Sequence, residues 1–253
     1  MAGKQTHPHT GLKVYLIRHA ESNNNLASCT MERSEYERIR EHDPTLSEGG
    51  IEEARQLGQY MKNHPDKFDN FIDQCFAEIH CSAMTRSLQT ADIISKEIGL
   101  DPIVWVDIHE VKGCRSRGQA YLGKSRGQIL ERFPNFVLPP EITDEGWYFL
   151  GREETEEEAW ERAGRVWERL THLSELDEYQ GKAILIVTHG LFLDFLMGRL
   201  CNREMKGPPR FAFYNTGYSL VWLKKPRTIV HYIDRIEHLT VIPLLYRNGE
   251  LDD

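Results

Sequence analysis

Residues 183–187, Ala-Ile-Leu-Ile-Val, carry no polar side chain. A strand that is apolar on both faces must be covered on both faces, the situation of a central strand in a parallel sheet. The run ends at Thr188-His189-Gly190 and passes into a helical stretch from Leu191. Residues 12–17, Leu-Lys-Val-Tyr-Leu-Ile, are a second strand, and they end in Arg18-His19. A third, residues 76–81, leads through Ser82-Ala83-Met84-Thr85-Arg86 into a helix. That helix has Leu88, Ala91, Ile94 and Ile98 on one face and Gly99 as its stop. A fourth, residues 103–106, runs toward Ile108-His109-Glu110. Further strands are expected over 211–214, 219–223 and 228–233. Strands alternating with helices predict an α/β fold, a three-layer sandwich built on a mostly parallel open sheet with helices on both faces.

The stretches between these strands are more varied. Residues 1–10 read as a disordered tail and 11–253 as a single domain. Asn23-Asn24-Asn25 reads as a loop, and 32–41 as an exposed helix. Pro44-Thr45-Leu46-Ser47 opens a helix that runs to His64-Pro65. Thr45 and Ser47 are both candidate N-caps, and Thr45 with Glu48 fits a capping box. Residues 112–150 are rich in Gly, Pro, Arg and aromatics without clear periodicity, so they are expected to form a lid or binding loop. Thr155 and Glu158 form a capping box for the clearest helix, whose stripe includes Ala159, Trp160, Ala163, Val166, Trp167, Leu170 and Leu173. The tryptophans are expected in the core.

Composition narrows the possible partners. The net charge of −8 disfavours nucleic acid and anionic membrane surfaces. No apolar run reaches the length of a membrane span. The N-terminus lacks an apolar signal core, and Ala2 replaces the glycine that myristoylation needs. Cys29, Cys75, Cys81, Cys114 and Cys201 lack metal-ligand spacing, so reduced thiols in a cytoplasmic protein are expected.

Three strands end in groups that bind phosphate: Arg18-His19, Arg86 just beyond its strand, and His189. One parallel sheet brings those carboxyl ends to one edge, where open α/β sheets bind ligands. Two arginines and two histidines around one point suit a doubly charged phosphoryl group, because guanidinium forks match phosphate oxygens.

With these residues the chain resembles the histidine phosphatase superfamily, also called phosphoglycerate mutase-like. The resemblance is carried by Arg18-His19-Ala20-Glu21-Ser22 with Asn25, then Leu46-Ser47-Glu48-Gly49-Gly50 and residues 82–91. Glu110, Val187-Thr188-His189-Gly190 and Asn215-Thr216-Gly217 complete it. It implies a phosphomonoester hydrolase in which His19 is the nucleophile that takes the phosphoryl group. Arg18, Arg86 and His189 would bind the phosphoryl oxygens, and Asn25 and Ser22 would contact the transferred group. Glu110 would be the proton donor and later the base for water, with His109 and Glu141 as stand-ins. An alkoxide leaving group requires such an acid, and holding its proton near neutrality requires burial. No cofactor or metal is implied, because arginines can supply the charge stabilisation that phosphoryl transfer needs. The substrate would be a small phosphorylated metabolite or a phosphoprotein. Ala20 stands where the family usually has Gly, and its methyl is expected to narrow the approach of the backbone to phosphate.

Other readings compete. Phosphoglycerate mutase-type transfer would need a second basic subsite, for which Lys112, Arg115, Arg117, Lys124 and Arg126 are candidates. Residues 118–125, Gly-Gln-Ala-Tyr-Leu-Gly-Lys-Ser, match the P-loop pattern, which requires a strand before and a long helix after. Cys81 and Arg86 resemble a cysteine phosphatase loop one residue too short. A phosphate-binding scaffold without catalysis is the non-enzymatic alternative. His42, His64, His172, His231 and His238 are isolated and read as surface or structural residues.

Overall fold

The structure is a computed structural model that describes residues 10–68, 76–116 and 119–240. The expected tail up to residue 9, Cys75, Arg117 and Gly118 lie outside those residues. In chain order the elements begin with β1 (Leu12–Arg18), α1 (Asn23–Thr30), α2 (Arg33–Ile39), α3 (Glu48–Asn63), β2 (Glu78–Cys81), α4 (Thr85–Ile98) and β3 (Ile103–Val104). They continue with β4 (Arg115–Ser116), β5 (Gln119–Ala120), α5 (Arg126–Arg132), α6 (Glu156–Leu173), β6 (Ala183–Thr188), α7 (Gly190–Leu200), β7 (Tyr218–Lys224) and β8 (Arg227–Arg235).

The main sheet has the order β3-β2-β6-β1-β7-β8. β3, β2, β6 and β1 are parallel, whereas β7 runs antiparallel to β1 and β8 antiparallel to β7. β6 lies between β1 and β2, and all six of its residues are buried. Alternate residues of the central strands feed two cores. Tyr15, Ile17, Leu185 and Val187 pack with Leu57 and Met61 of α3 and Leu88, Ala91 and Ile94 of α4. Val14, Leu16, Ile184 and Ile186 pack with Ala163, Val166 and Leu170 of α6 and Phe192 and Leu196 of α7. Each fully buried aliphatic or aromatic side chain contributes roughly 1.5–3 kcal/mol, so covering both faces is the main stabilising term. The result is the three-layer α/β sandwich expected from the sequence.

Local chemistry explains where the elements differ from expectation. Asn23-Asn24-Asn25 opens a helix rather than a loop. Ser22 caps it, accepting from the Asn25 amide at 3.2 Å while the Asn25 side chain accepts from Ser22 N at 3.1 Å. At α3 the cap is Ser47, whose Oγ accepts from Gly50 N at 2.9 Å. The Thr45–Glu48 box does not form, because Thr45 is engaged with Asn23. Residues 211–214 form no strand. The Phe211 amide donates to Asp194 and the Tyr214 amide to Asp234, so neither is available to a neighbouring strand. β3 stops at Val104 and gives way to a 3₁₀ turn over Val106–Ile108.

The 112–150 segment is more packed than its sequence suggests. It contains the β4–β5 hairpin and α5, and Phe133, Phe136, Trp147 and Tyr148 are buried in the first core. Trp160 and Trp167 pack only partly buried against the second core, with the guanidinium groups of Arg199 and Arg203 over the Trp160 ring. Cys29, Cys81, Cys114 and Cys201 are free thiols. Among the described residues no helix is long and apolar enough to cross a membrane.

Gly50 at the start of α3 lies against the chain just after β1. A Cβ there would sit 1.9 Å from the Glu21 carbonyl oxygen. Gly50→Ala is therefore expected to lower stability by about 1–3 kcal/mol through forced backbone displacement. Urea unfolding checks this, and an unchanged midpoint would contradict the close approach.

Candidate active site

β1 ends at the carboxyl edge of the sheet, and its last residues are clamped from several sides. His19 N donates to Thr188 O at 2.8 Å, which extends the β1–β6 pairing by one step. Asn215 Nδ2 donates to His19 O at 2.8 Å, and Thr216 N donates to Arg18 O at 3.0 Å. Thr216 adopts φ +55° to make that contact, a left-handed conformation that a β-branched residue rarely takes. Ala20 N donates to Thr90 Oγ1 at 3.0 Å. The Asn215-Thr216-Gly217 motif thus grips the Arg-His backbone.

These clamps fix the His19 ring. Its Nδ1 lies 2.7 Å from the Ala20 carbonyl, so Nδ1 carries the proton and donates it. Nε2 then presents a lone pair, to which Arg86 Nε donates at 3.0 Å. Burial, then the charges of Arg86 and Arg18, hold the imidazole well below the ordinary histidine range. The ring is therefore neutral at physiological pH, the state in which a histidine is a nucleophile.

The cations come from different elements. Arg86 sits in the first turn of α4, where burial pulls its guanidinium down and the charges of Glu110 and Asp43 push it back up. Arg18 donates from Nη1 to Phe213 O at 2.6 Å. It passes close over α7, since a Cβ on Gly190 would lie 3.3 Å from its Nε. The loop carrying Phe213 is itself held by a buried cluster, in which Asp194 accepts from both Arg203 Nη atoms, from Arg210 Nε and from Phe211 N. The His189 ring lies 5.0 Å from that of His19. Its Nε2 meets Ser82 Oγ at 2.8 Å, and its buried Nδ1 has no partner among the described residues. A phosphoryl oxygen is the kind of acceptor that would satisfy it.

Glu110 reaches the same cleft from the loop after the 3₁₀ turn. Its Oε1 accepts from Val111 N at 2.8 Å and Phe192 N at 2.9 Å, whereas Oε2 has only a 3.4 Å contact with Leu191 N. Oε2 is thus the less engaged of the two oxygens. The stand-ins lie elsewhere: His109 is buried beside Trp147 and Tyr148, and Glu141 is exposed. Asn25 and Ser22 both line the cleft, although the Ser22 hydroxyl is occupied by its cap with Asn25. The Ala20 methyl packs with Leu46 and Ala54 rather than toward the cleft, so the expected narrowing does not arise.

Sequence reasoning missed several lining residues. Asn24, Tyr36, Arg40 and His42 also face the cleft. Tyr36 on α2 accepts at its hydroxyl from Nε of Arg40, the residue that caps the helix C-terminus, at 3.1 Å. His42, read as isolated, stacks on Tyr121 with ring centroids 4.0 Å apart. Outside the cleft lining, Glu53 accepts from Glu21 N at 2.8 Å, and burial pushes its carboxyl up to about 7.

Two competing readings lose their structural basis. The helix after the P-loop-like segment has only seven residues, and Gln119–Ala120 pairs antiparallel with Arg115–Ser116 instead of ending a sheet strand. Burial pushes the Cys81 thiol far up, which removes it as a thiolate nucleophile. Among the described residues no group of three or more His, Cys, Asp or Glu is placed to hold a metal ion.

Comparison with known proteins matches the sequence model of the histidine phosphatase superfamily (branch 1) over residues 14–234. The chain belongs to this superfamily. Solved structures share the fold at low identity. Phosphoserine phosphatase from Entamoeba histolytica, solved with phosphoserine, is 18% identical with a TM-score of 0.56, covering 90% of this chain and 99% of that one. YhfR of Bacillus stearothermophilus is 21% identical with a TM-score of 0.57, covering 90% and 98%. A mycobacterial glucosyl-3-phosphoglycerate phosphatase is 17% identical with a TM-score of 0.54, covering 88% and 98%. The fold of this histidine phosphatase superfamily member is thus shared with these structures.

The electrostatics give a direct test. His19 and His189 are expected to titrate well below 6.5 in the free protein, with His19 as the Nδ1–H tautomer. A folded pKa below the unfolded one means that acidification below 6.5 protonates the unfolded chain first, so the stability these two rings contribute falls with falling pH. Ring-nitrogen NMR reads both tautomer and titration, and a His19 midpoint at or above 6.5 would contradict the site described.

Proposed function

We propose that this protein is a metal-independent phosphomonoesterase that works through a phosphohistidine on His19. The observation that carries this reading is the His19 ring itself. Its proton is anchored on Nδ1, and its Nε2 lies 3.0 Å from a buried guanidinium. A phosphomonoester entering the cleft replaces the Arg86–Nε2 contact. Its phosphoryl oxygens take the guanidinium donors of Arg18 and Arg86 and the buried Nδ1 of His189, unpartnered among the described residues, while Asn25 contacts the transferred group. Nε2 attacks phosphorus, the P–N bond forms, and the P–O bond to the leaving group breaks. Glu110 gives its proton to the departing oxygen. Water then attacks the phosphoryl group, Glu110 takes back a proton, and the P–N bond breaks to release phosphate. The barrier is lowered mainly by positioning and by fixed positive charge.

The substrate is best read as a small phosphorylated metabolite with additional negative charge. Arg40 lines the cleft beyond the groups assigned to the phosphoryl unit, as does Arg115, which also pairs with Glu153 at 3.5 Å. One fold neighbour, the Entamoeba histolytica phosphoserine phosphatase, was solved both with phosphoserine and with 3-phosphoglyceric acid. The 112–150 segment supplies Gly113 and Arg115 to the cleft wall, and its Tyr121 backs His42, which supports a role for it in selectivity. The mutase reading is weaker. Of its candidate basic residues, Lys124 pairs with Asp43 at 3.7 Å, and Arg126 donates to the carbonyls of Leu138, Pro139 and Ile142. The four cysteines among the described residues are free thiols, which is compatible with a reducing compartment such as the cytoplasm.

A metabolite panel scored for phosphate release, run beside a test for transfer between positions of phosphoglycerate, tests the reading. Activity is expected to persist in EDTA and to vanish in His19→Ala. Loss in EDTA, or turnover surviving in His19→Ala, would overturn it. Glu110→Gln is expected to slow alkyl phosphates by about 10²–10⁴-fold and aryl phosphates with good leaving groups far less. Equal slowing of both would remove Glu110 from the role of acid.

A further inference from the structure

We propose that Arg162, locked to Glu154, is a positioning residue for Glu110; this rests on the reading of Glu110 as the general acid. Both side chains are buried, at 3% and 7% exposure, and neither lines the cleft. Arg162 donates from Nε and Nη2 to the two Glu154 oxygens, both at 2.7 Å. Its Nη1 donates to Asp107 O at 2.7 Å and to His109 O at 2.9 Å. The carbonyl between them, Ile108 O, accepts from Thr188 Oγ1 at 2.6 Å. Three consecutive peptide planes leading into Glu110 are therefore fixed by side chains. On the far side of Glu110, Glu154 N donates to Lys112 O at 3.4 Å.

The same guanidinium lies 4.7 Å from the ring of Phe192, and the Phe192 amide donates to Glu110 Oε1 at 2.9 Å. One buried group thus contacts both the segment that carries the acid and the helix end that orients its carboxylate. A buried pair of this kind adds little net stability compared with apolar replacements, so stability alone does not explain its geometry. What the fork supplies is direction. Four hydrogen bonds leave a planar group at set angles, which a lysine ammonium cannot reproduce. Acid catalysis depends on such placement, since displacement by about 1 Å can cost 10²-fold in rate.

The test is Arg162→Lys in the full chain, assayed with phosphoserine as an alkyl phosphate and p-nitrophenyl phosphate as an aryl one. Glu110→Gln is run alongside. The expected result is a fall in kcat of roughly tenfold or more for the alkyl ester, with the aryl ester within about twofold and KM unchanged for both. Equal slowing of the two esters, or slowing of neither, would overturn the inference, because a purely structural role does not discriminate between leaving groups. If Glu110→Gln is itself unselective, the acid assignment fails instead. If Glu110→Gln is selective and Arg162→Lys is not, only the positioning role falls. Glu154→Gln keeps the shape of the pair and removes its charge. It is expected to show the same selectivity at smaller size, and it decides the matter if Arg162→Lys does not fold.

Discussion

The hydrogen bond between His19 Nδ1 and the Ala20 carbonyl, 2.7 Å long, is the contact on which the rest of the site depends. It selects one tautomer and thereby decides which nitrogen presents a lone pair to the cleft. Burial among guanidinium groups does the rest, because an imidazolium there would be both poorly solvated and repelled. In the proposed reaction, the same positive charge that keeps the ring neutral would attract the anion that the ring attacks. One electrostatic arrangement therefore serves both binding and reactivity.

Collecting cations in one place works against folding, and much of the scaffold offsets that repulsion. The parallel β1–β6–β2 core brings His19, His189 and the start of α4 to one edge. Carboxylates then hold the supports in place. Asp194 anchors the loop whose Phe213 carbonyl receives Arg18, and Asp43 accepts from the Thr85 amide at 2.8 Å beside Arg86. Buried charges of this kind are tolerated only when most of their hydrogen-bonding capacity is used, as it is at Asp194 and at the Arg162–Glu154 pair.

The central sheet and the gathering of Arg18, His19, Arg86 and His189 were legible because both leave local marks. The strands are continuous apolar runs, and the arginines and histidines of the cleft follow within a few positions. What stayed hidden depends on partners far along the chain. Residues 211–214 look like a strand, yet their amides are taken by Asp194 and Asp234. α1 hides in an asparagine run because Asn25, rather than Glu or Gln, completes the cap with Ser22. Tyr36, Arg40 and His42 belong to the cleft only because α1 and α2 bring 23–42 back beside β1. The direction of the Ala20 methyl is likewise set by Leu46 and Ala54.

The most direct test of the account is chemical trapping of the phosphorylated enzyme. Denaturing quench during turnover, under alkaline conditions that preserve phosphorus–nitrogen bonds, followed by peptide mass spectrometry, locates the phosphoryl group. The account predicts a base-stable, acid-labile phosphohistidine at His19. A phosphoryl group on a cysteine, serine or carboxylate, or trapped unchanged on another histidine when His19 is replaced, would contradict it.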